Sequence, residues 1–534
     1  MFARVLAALP DPEAPYTRPL TADLTAAVAP RPSAAAFLAV LLLYVTATSM
    51  YEAMHRPFWY DEVFTVVLTR LSSMAEIRAA LANAADSSAP GFYIIQRALS
   101  GIAANEHLGF RLASIAAVTS VSLFVFVFAR RHLPFPAAGI AAVIPLLSHL
   151  YHHYSVEARP YALVAGFAAL AMVAWQRAAS RGWVLVLAAG LAAAVSVSYY
   201  AVFAIAPFAM AEAVHFSRSK RLRPAVWVAL AAGAIPLLVN WPLLNSYRES
   251  YGKHYWAKAH LSELPAGYDW FFVIRRVEGG GFLVAAAVYL ALALYLRRSS
   301  PSARTASGTP PPETVALVLG LIALPVLVLG AGLVLDGGFV PRYSIAVIPG
   351  IALGVAYATQ LLAPRYVGWM FACLLVVFGV REAKFWMVDR WVDPAASWAE
   401  IEAHERVMAH ADDNAAPIVV EDGTVFVPLA YYRAEPGRSR LVALSDPEAA
   451  RQYSGVDSLD IDLAALRSYM PVRVLDYEAL LAPHKPFFLY STPESVSWLP
   501  SRLSKDEYAL DVVAREEAGT LYRVSRSERA TGSK

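Results

Sequence analysis

The sequence predicts a polytopic α-helical membrane protein with about eleven transmembrane helices and a C-terminal α/β domain. Three observations carry this. The 534 residues are 58% hydrophobic and only 16% charged, with mean hydropathy +0.46; soluble domains carry roughly 25% charged residues. Apolar runs recur from residue 34 to residue 381, many close to the roughly 20 residues that a spanning helix needs. Beyond residue 381, charges, prolines and short alternating runs return.

Residues 1–33 are rich in proline, alanine and threonine and read as a cytoplasmic tail. The apolar run that follows is too long for a secretory signal core. Spans are expected near 34–54, 109–128, 136–151, 160–176, 183–199, 201–217, 225–244, 281–296, 314–334, 342–362 and 366–381. Orientation comes from the basic clusters, since the net charge of +3 is uninformative. Arg130-Arg131, Arg177 with Arg181, Arg218 to Arg223, Arg297-Arg298 and Arg365 fall in alternate connections. The positive-inside rule makes those connections cytoplasmic. The connections 55–108, 152–159, a tight turn at Tyr199-Tyr200, 245–280 and 335–341 are then extracytoplasmic, and so is the C-terminal domain. Arg275-Arg276 opposes this pattern. The membrane assigned is the inner, cytoplasmic one. The single cysteine, Cys373, excludes an internal disulfide.

The domains expected are the tail 1–33, a membrane module 34–381 and an extracytoplasmic α/β domain 382–534. In the last, 416–420 and 486–490 read as buried strands and 397–411 as a helix. The first outer loop, 55–108, is long for a membrane connection. It holds helical spacing over 74–84 and suits helices at the membrane interface. No nucleotide-binding glycine loop is present: Gly279-Gly280-Gly281 follows no strand. No nucleic-acid partner is expected.

Ionisable residues gather on the outer side. Asp61-Glu62 follow Phe58-Trp59-Tyr60 at the mouth of the first span; carboxylates there are costly unless solvated or in use. A carboxylate can take the proton of an acceptor hydroxyl, while the alternative is a solvated loop pair. Glu157 and Arg159 follow His152-His153 in a short outer connection. Arg159 could hold a phosphate through its planar fork, or pair locally with Glu157. Arg342-Tyr343 and Arg111 stand at outer helix ends, as phosphate ligands or as snorkelling anchors. Tyr251, Lys253, His254, Tyr255, Trp256 and Lys258 crowd another outer loop. Carboxylates, arginines and aromatics on one face are what displacing a phosphate-linked sugar needs, because the leaving group is anionic.

In their order along the chain these motifs resemble the GT-C superfamily of polyprenyl-phosphate-dependent glycosyltransferases. Protein O-mannosyltransferases and the aminoarabinose transferases that modify lipid A are members, and the bacterial family 39-like group is the nearest in look. The landmarks are Trp59-Tyr60-Asp61-Glu62, Asp86 to Tyr93, Phe110-Arg111-Leu112-Ala113-Ser114, Glu157-Ala158-Arg159-Pro160-Tyr161 and Pro341-Arg342-Tyr343. They span 34–362. The resemblance implies an inverting transfer from a lipid-phosphate sugar to a lipid, glycan or protein acceptor on the outer face. It implies Asp61 as catalytic base, Glu62 as its supporting neighbour and Glu157 as a second acidic position. Arg159 and Arg342 match basic positions toward the donor phosphate; Tyr60, Asp86, Arg111 and Tyr343 are further substrate-binding candidates. The family often has a histidine, a proline and an apolar residue where this chain has Ser88, Ala89 and Gly91, which puts a bound divalent cation in doubt. Two other classes stay open: a lipid-linked sugar flippase, and a non-catalytic envelope assembly protein.

Overall fold

A computed structural model describes residues 32–251, 254–271, 280–298, 310–387, 394–413, 415–482, 485–493, 495 and 497–526. Residues 1–31, Lys253, Arg275-Arg276 and Gly279 lie outside the described residues. The chain forms two compact units. The first comprises Met1–Met54, Ala98–Trp241 and Lys258–Asp389; the second comprises His55–Arg97, Pro242–Ala257 and Arg390–Lys534.

The first unit is built of apolar helices. Ser33–His55, Glu106–Arg130, Tyr199–Ser219 and Pro364–Met387 are long and apolar enough to cross a membrane. One bent pair, Pro312–Ile322 with Leu324–Val334, turns by 52°. Pro325 stands at the break, where proline cannot donate to the preceding turn. Phe135–Leu147, Tyr161–Gln176, Arg181–Val197, Gly281–Leu292 and Val347–Leu361 are shorter apolar helices. Apolar helices thus lie along the runs read from the sequence, but among the described residues only four single helices are long and apolar enough to cross a membrane, fewer than the eleven spans expected; the protein is a multi-pass membrane protein.

Burial separates the centre of this unit from its rim. In Glu106–Arg130, 78% of the most apolar window is buried; in Pro364–Met387 only 6% is. Trp369, Val376 and Val380 are exposed on the latter, an apolar face suited to lipid. Close packing relies on small residues, as in other membrane bundles. A Cβ on Gly350 would lie 2.6 Å from the Cβ of Leu321, so glycine lets Val347–Ala358 approach Pro312–Ile322. The connection at Tyr199-Tyr200 is tight, the Ala201 amide donating to the Ser198 carbonyl at 3.1 Å. Tyr199–Ala204 is a 3-10 turn that runs into Ile205–Ser219, and the Tyr200 ring stacks on Tyr343 at 3.9 Å.

The second unit contains a six-stranded sheet: β1 (Ile418–Val420), β2 (Leu441–Leu444), β3 (Arg473–Leu475), β4 (Phe487–Ser491), β5 (Tyr508–Glu516) and β6 (Gly519–Arg526). The order is β3-β2-β1-β4-β6-β5. The first four strands are parallel and the last two antiparallel. Parallel strands are covered on both faces, and β1 and β2 are accordingly buried throughout. Val419, Val442, Leu489, Trp498, Leu503 and Val524 form one core cluster. The helix expected at 397–411 is Pro394–Met408.

The compact units do not follow the linear division at residue 381. Residues 55–97 and 242–257 pack with the C-terminal region. The Trp398 indole donates to the His55 carbonyl at 2.9 Å, the Arg70 guanidinium to the Tyr431 hydroxyl at 3.3 Å, and the Trp256 amide to Ser458 at 3.3 Å.

Candidate active site

The sequence-derived candidates fall into two clusters, one in each unit. In the second unit Asp61 and Glu62 occupy the first turn of the helix Tyr60–Thr69, where the partial positive charge of a helix N-terminus favours carboxylates. Glu62 is buried, and its carboxylate accepts the Trp59 amide at 3.3 Å. This caps the helix and fixes its entry. Asp61, one residue earlier, is partly exposed. Thus the two adjacent acids differ: Glu62 is buried and holds backbone, while Asp61 is partly exposed.

Asp86 and Tyr93 close their own motif. The Tyr93 hydroxyl donates to the Asp86 carboxylate, which also accepts the Ser87 amide at 2.7 Å. Ser88, at the position where the family often has histidine, is buried. The Tyr60 hydroxyl does not point at solvent; it donates to Asp462 Oδ2 at 2.9 Å. Tyr251 donates to Asp462 Oδ1. Asp462 was missed by sequence reasoning, and so was the role of Tyr251. Nothing local distinguishes Asp462 from the other acids of the C-terminal region; its partner Tyr60 is 402 residues away.

Burial pushes the Asp462 carboxyl up to about 7, and the nearby charges of Asp61 and Asp86 add to this, against the hydrogen bonds from Tyr251 and Tyr60. Tyr60 is likewise raised well above an ordinary phenol by burial and by Asp462. The folded state thus binds the Asp462 proton more tightly than the unfolded chain does. The stability this contributes is complete below about pH 4 and is lost as pH rises through about 7. Asp462→Asn removes the titration, so the melting temperature of the wild type relative to Asp462→Asn is expected to fall between about pH 5 and pH 8. Thermal melts of both proteins across that range check this; a constant difference would count against a protonated Asp462.

In the first unit Glu157 and Arg159 lie in the turn before the helix Tyr161–Gln176, and both are buried. The Arg159 amide donates to the Glu157 carbonyl at 2.8 Å, and the Ser114 hydroxyl donates to the same oxygen at 2.6 Å. These bonds hold the turn against Glu106–Arg130. His153 Nε2 lies 3.1 Å from the Glu157 carboxylate. Burial pushes that carboxyl up, but His153, Arg159 and Arg342 outweigh it, so Glu157 stays below its ordinary value. The Arg342 guanidinium lies over the Tyr161 ring at 5.2 Å and near Tyr343 at 6.0 Å. Arg111, read as a phosphate candidate, is fully buried and donates to the Ala53 carbonyl at 2.9 Å. Its visible duty is to hold the end of Pro32–His55.

Each member of the histidine pair lies beside a carboxylate. His152 Nε2 lies 3.2 Å from Glu52, and His153 faces Glu157. The helix His149–Ser155 lets the two rings diverge. Among the described residues, no three His, Cys, Asp or Glu side chains gather as a metal site.

Apolar helices carrying buried carboxylate–cation groups, joined to a unit with a mixed sheet, define a multi-pass membrane protein with an ionised site. By sequence, no family model and no curated protein matches the chain. By structure it is similar to ArnT from Cupriavidus metallidurans in the apo state, with TM-score 0.51 and 15% identity over 92% of this chain and 98% of that one. The same protein bound to undecaprenyl phosphate gives 0.50 and 14%, over 91% and 97%. The oligosaccharyltransferase of Archaeoglobus fulgidus, in complex with Zn and sulfate, gives 0.46 and 11%, over 92% and 73%. The chain shares the fold of these two ArnT structures.

Proposed function

We propose that the protein is an inverting glycosyltransferase. It would move a sugar from a polyprenyl-phosphate donor to an envelope acceptor, at the outer face of the cytoplasmic membrane. Asp61 takes the proton of the acceptor hydroxyl. The acceptor oxygen forms its bond to the sugar C1 from the face opposite the phosphate, the C1–O bond to phosphate breaks, and the configuration inverts. Arg342 and Arg159 receive the negative charge that develops on the lipid phosphate. Glu157 fixes the local charge balance around them, and Glu62 holds Asp61 at its helix end. Tyr60, Asp86 and Tyr343 shape the binding surfaces.

The observation that supports this most is the group of Glu157, His153, Arg159 and Arg342. Buried charge of this kind is costly unless paired, and intramembrane ionisable groups mark functional sites. The likeness to ArnT, seen bound to undecaprenyl phosphate, agrees with a lipid-phosphate donor. The outer-face assignment is supported by the three segments 55–97, 242–257 and 390–526, which touch one another and which the basic clusters all place outside.

Mass spectrometry of lipid-linked sugars and envelope glycans in a strain lacking the gene tests the reading. A donor lipid is expected to accumulate and one decoration to disappear, with rescue by the wild type but not by Asp61→Asn. Unchanged lipid-linked sugars, or full rescue by a triple variant of Asp61, Glu157 and Arg159, would overturn it and favour an assembly protein.

A further inference from the structure

The C-terminal sheet has a cavity that the proposed transfer does not use. From β1 the chain moves to β2 and then β3 on one side, and returns to β4 on the other side of β1. Where a parallel sheet reverses direction in this way, the covering segments diverge at the carboxyl ends of the strands and leave a crevice. A cavity of about 290 Å³ lies there. Glu421 and Asp422, which follow β1, line it, together with Ser454, Asp460, Ser497 and Trp498. That volume is at the lower end of ligand pockets, which run from about 300 Å³ upward, so the occupant is small.

Asp460 is the sharpest feature. It is only 8% exposed. Its Oδ1 accepts the Asp446 amide at 2.8 Å and the Trp498 indole at 3.0 Å, and in the same lining Glu421 Oε2 is buried with no hydrogen-bond partner among the described residues. A buried carboxylate oxygen without a donor is costly, and a ligand hydroxyl or ammonium would supply one. Burial pushes Asp460 up to about 6 and raises Glu421 as well, against the hydrogen bonds that Ser491, Ser497 and Ser495 offer Glu421; both would gain from a donor-rich ligand. Among the described residues no lysine, arginine or histidine lines the cavity, so an anionic ligand would meet only repulsion.

We propose that this crevice binds one unphosphorylated sugar unit, neutral or amine-bearing, whose hydroxyl or ammonium groups donate to Asp460, Glu421 and Asp422 beside the Trp498 ring. It is a sugar-recognition site separate from the reaction at Asp61, and it does not depend on the protein being a transferase.

The test is saturation-transfer NMR on the full-length protein in detergent micelles. The probes are a panel of unphosphorylated hexoses, pentoses and amino sugars, with glucose 6-phosphate as the anionic counterpart. At least one unphosphorylated member is expected to bind, and glucose 6-phosphate to bind more weakly by about tenfold or more. Asp460→Asn is expected to weaken the best sugar by about tenfold. Val456→Trp, placed on an exposed lining residue, should block the cavity and abolish binding. Asp61→Asn should leave binding unchanged, which separates this site from the transfer reaction. No binding by any member of the panel would overturn the proposal. So would tighter binding of the phosphorylated sugar, or binding that survives both cavity variants and is lost in Asp61→Asn.

Discussion

Replacing Asp61 with asparagine is expected to lower turnover roughly 10²- to 10⁴-fold, the range that a positioned general base supplies. The substitution keeps the shape of the side chain and removes its ability to take a proton. Glu62 still accepts the Trp59 amide, so the helix start is preserved and the melting temperature should stay within a few degrees. Donor binding should be unaffected, because the base acts on the acceptor. The effect should therefore appear in kcat rather than in the KM for the donor, and Asp61→Glu should recover part of the rate. Turnover with a purified donor lipid checks this. A variant with activity close to wild type would remove Asp61 from the chemistry and leave it a surface acid.

Replacing Arg342 with alanine is expected to weaken binding of a polyprenyl phosphate roughly 10- to 100-fold, from about 1.5–3 kcal/mol for a hydrogen bond to a charged group. The guanidinium is set over the Tyr161 ring, which holds its plane. Lysine keeps the charge but loses the planar fork, so Arg342→Lys should fall between alanine and wild type. Titration of the purified protein with undecaprenyl phosphate measures this. Because Arg342 also offsets the buried charge of Glu157, a melting curve must accompany it. Lowered stability with unchanged lipid affinity would make Arg342 a structural counter-ion and shift the phosphate role to Arg159.

Much of the membrane part was legible because its signal is local. A run such as 109–128 is apolar whatever it packs against, and it appears as Glu106–Arg130. The two adjacent acids were also legible, and their place at a helix start follows from the short aromatic stretch before them. Which acid is buried was not, because it depends on the backbone amide that Glu62 captures. Arg111 read either as a phosphate ligand or as a snorkelling anchor, since an arginine at a helix end looks alike whether it faces water or a neighbouring carbonyl. It faces the carbonyl of Ala53. The place of His153 against Glu157, one helical turn away, was not legible, since adjacent histidines do not show which carboxylate each will face.

Chemistry carried by composition and spacing could be read from the residues alone: a multi-pass helical chain, the set of motifs, and the acids and arginines worth testing. That holds because apolar length and helix periodicity are properties of neighbours in the chain. The attachment of residues 55–97 and 242–257 to the C-terminal region, the Tyr60–Asp462–Tyr251 group and the crevice at the end of β1 come from folding. The first two join residues hundreds of positions apart and the third joins residues from separate elements of the C-terminal region; such contacts leave no periodic trace in a sequence because their energy depends on geometry that exists only once the sheet and helices have closed around them.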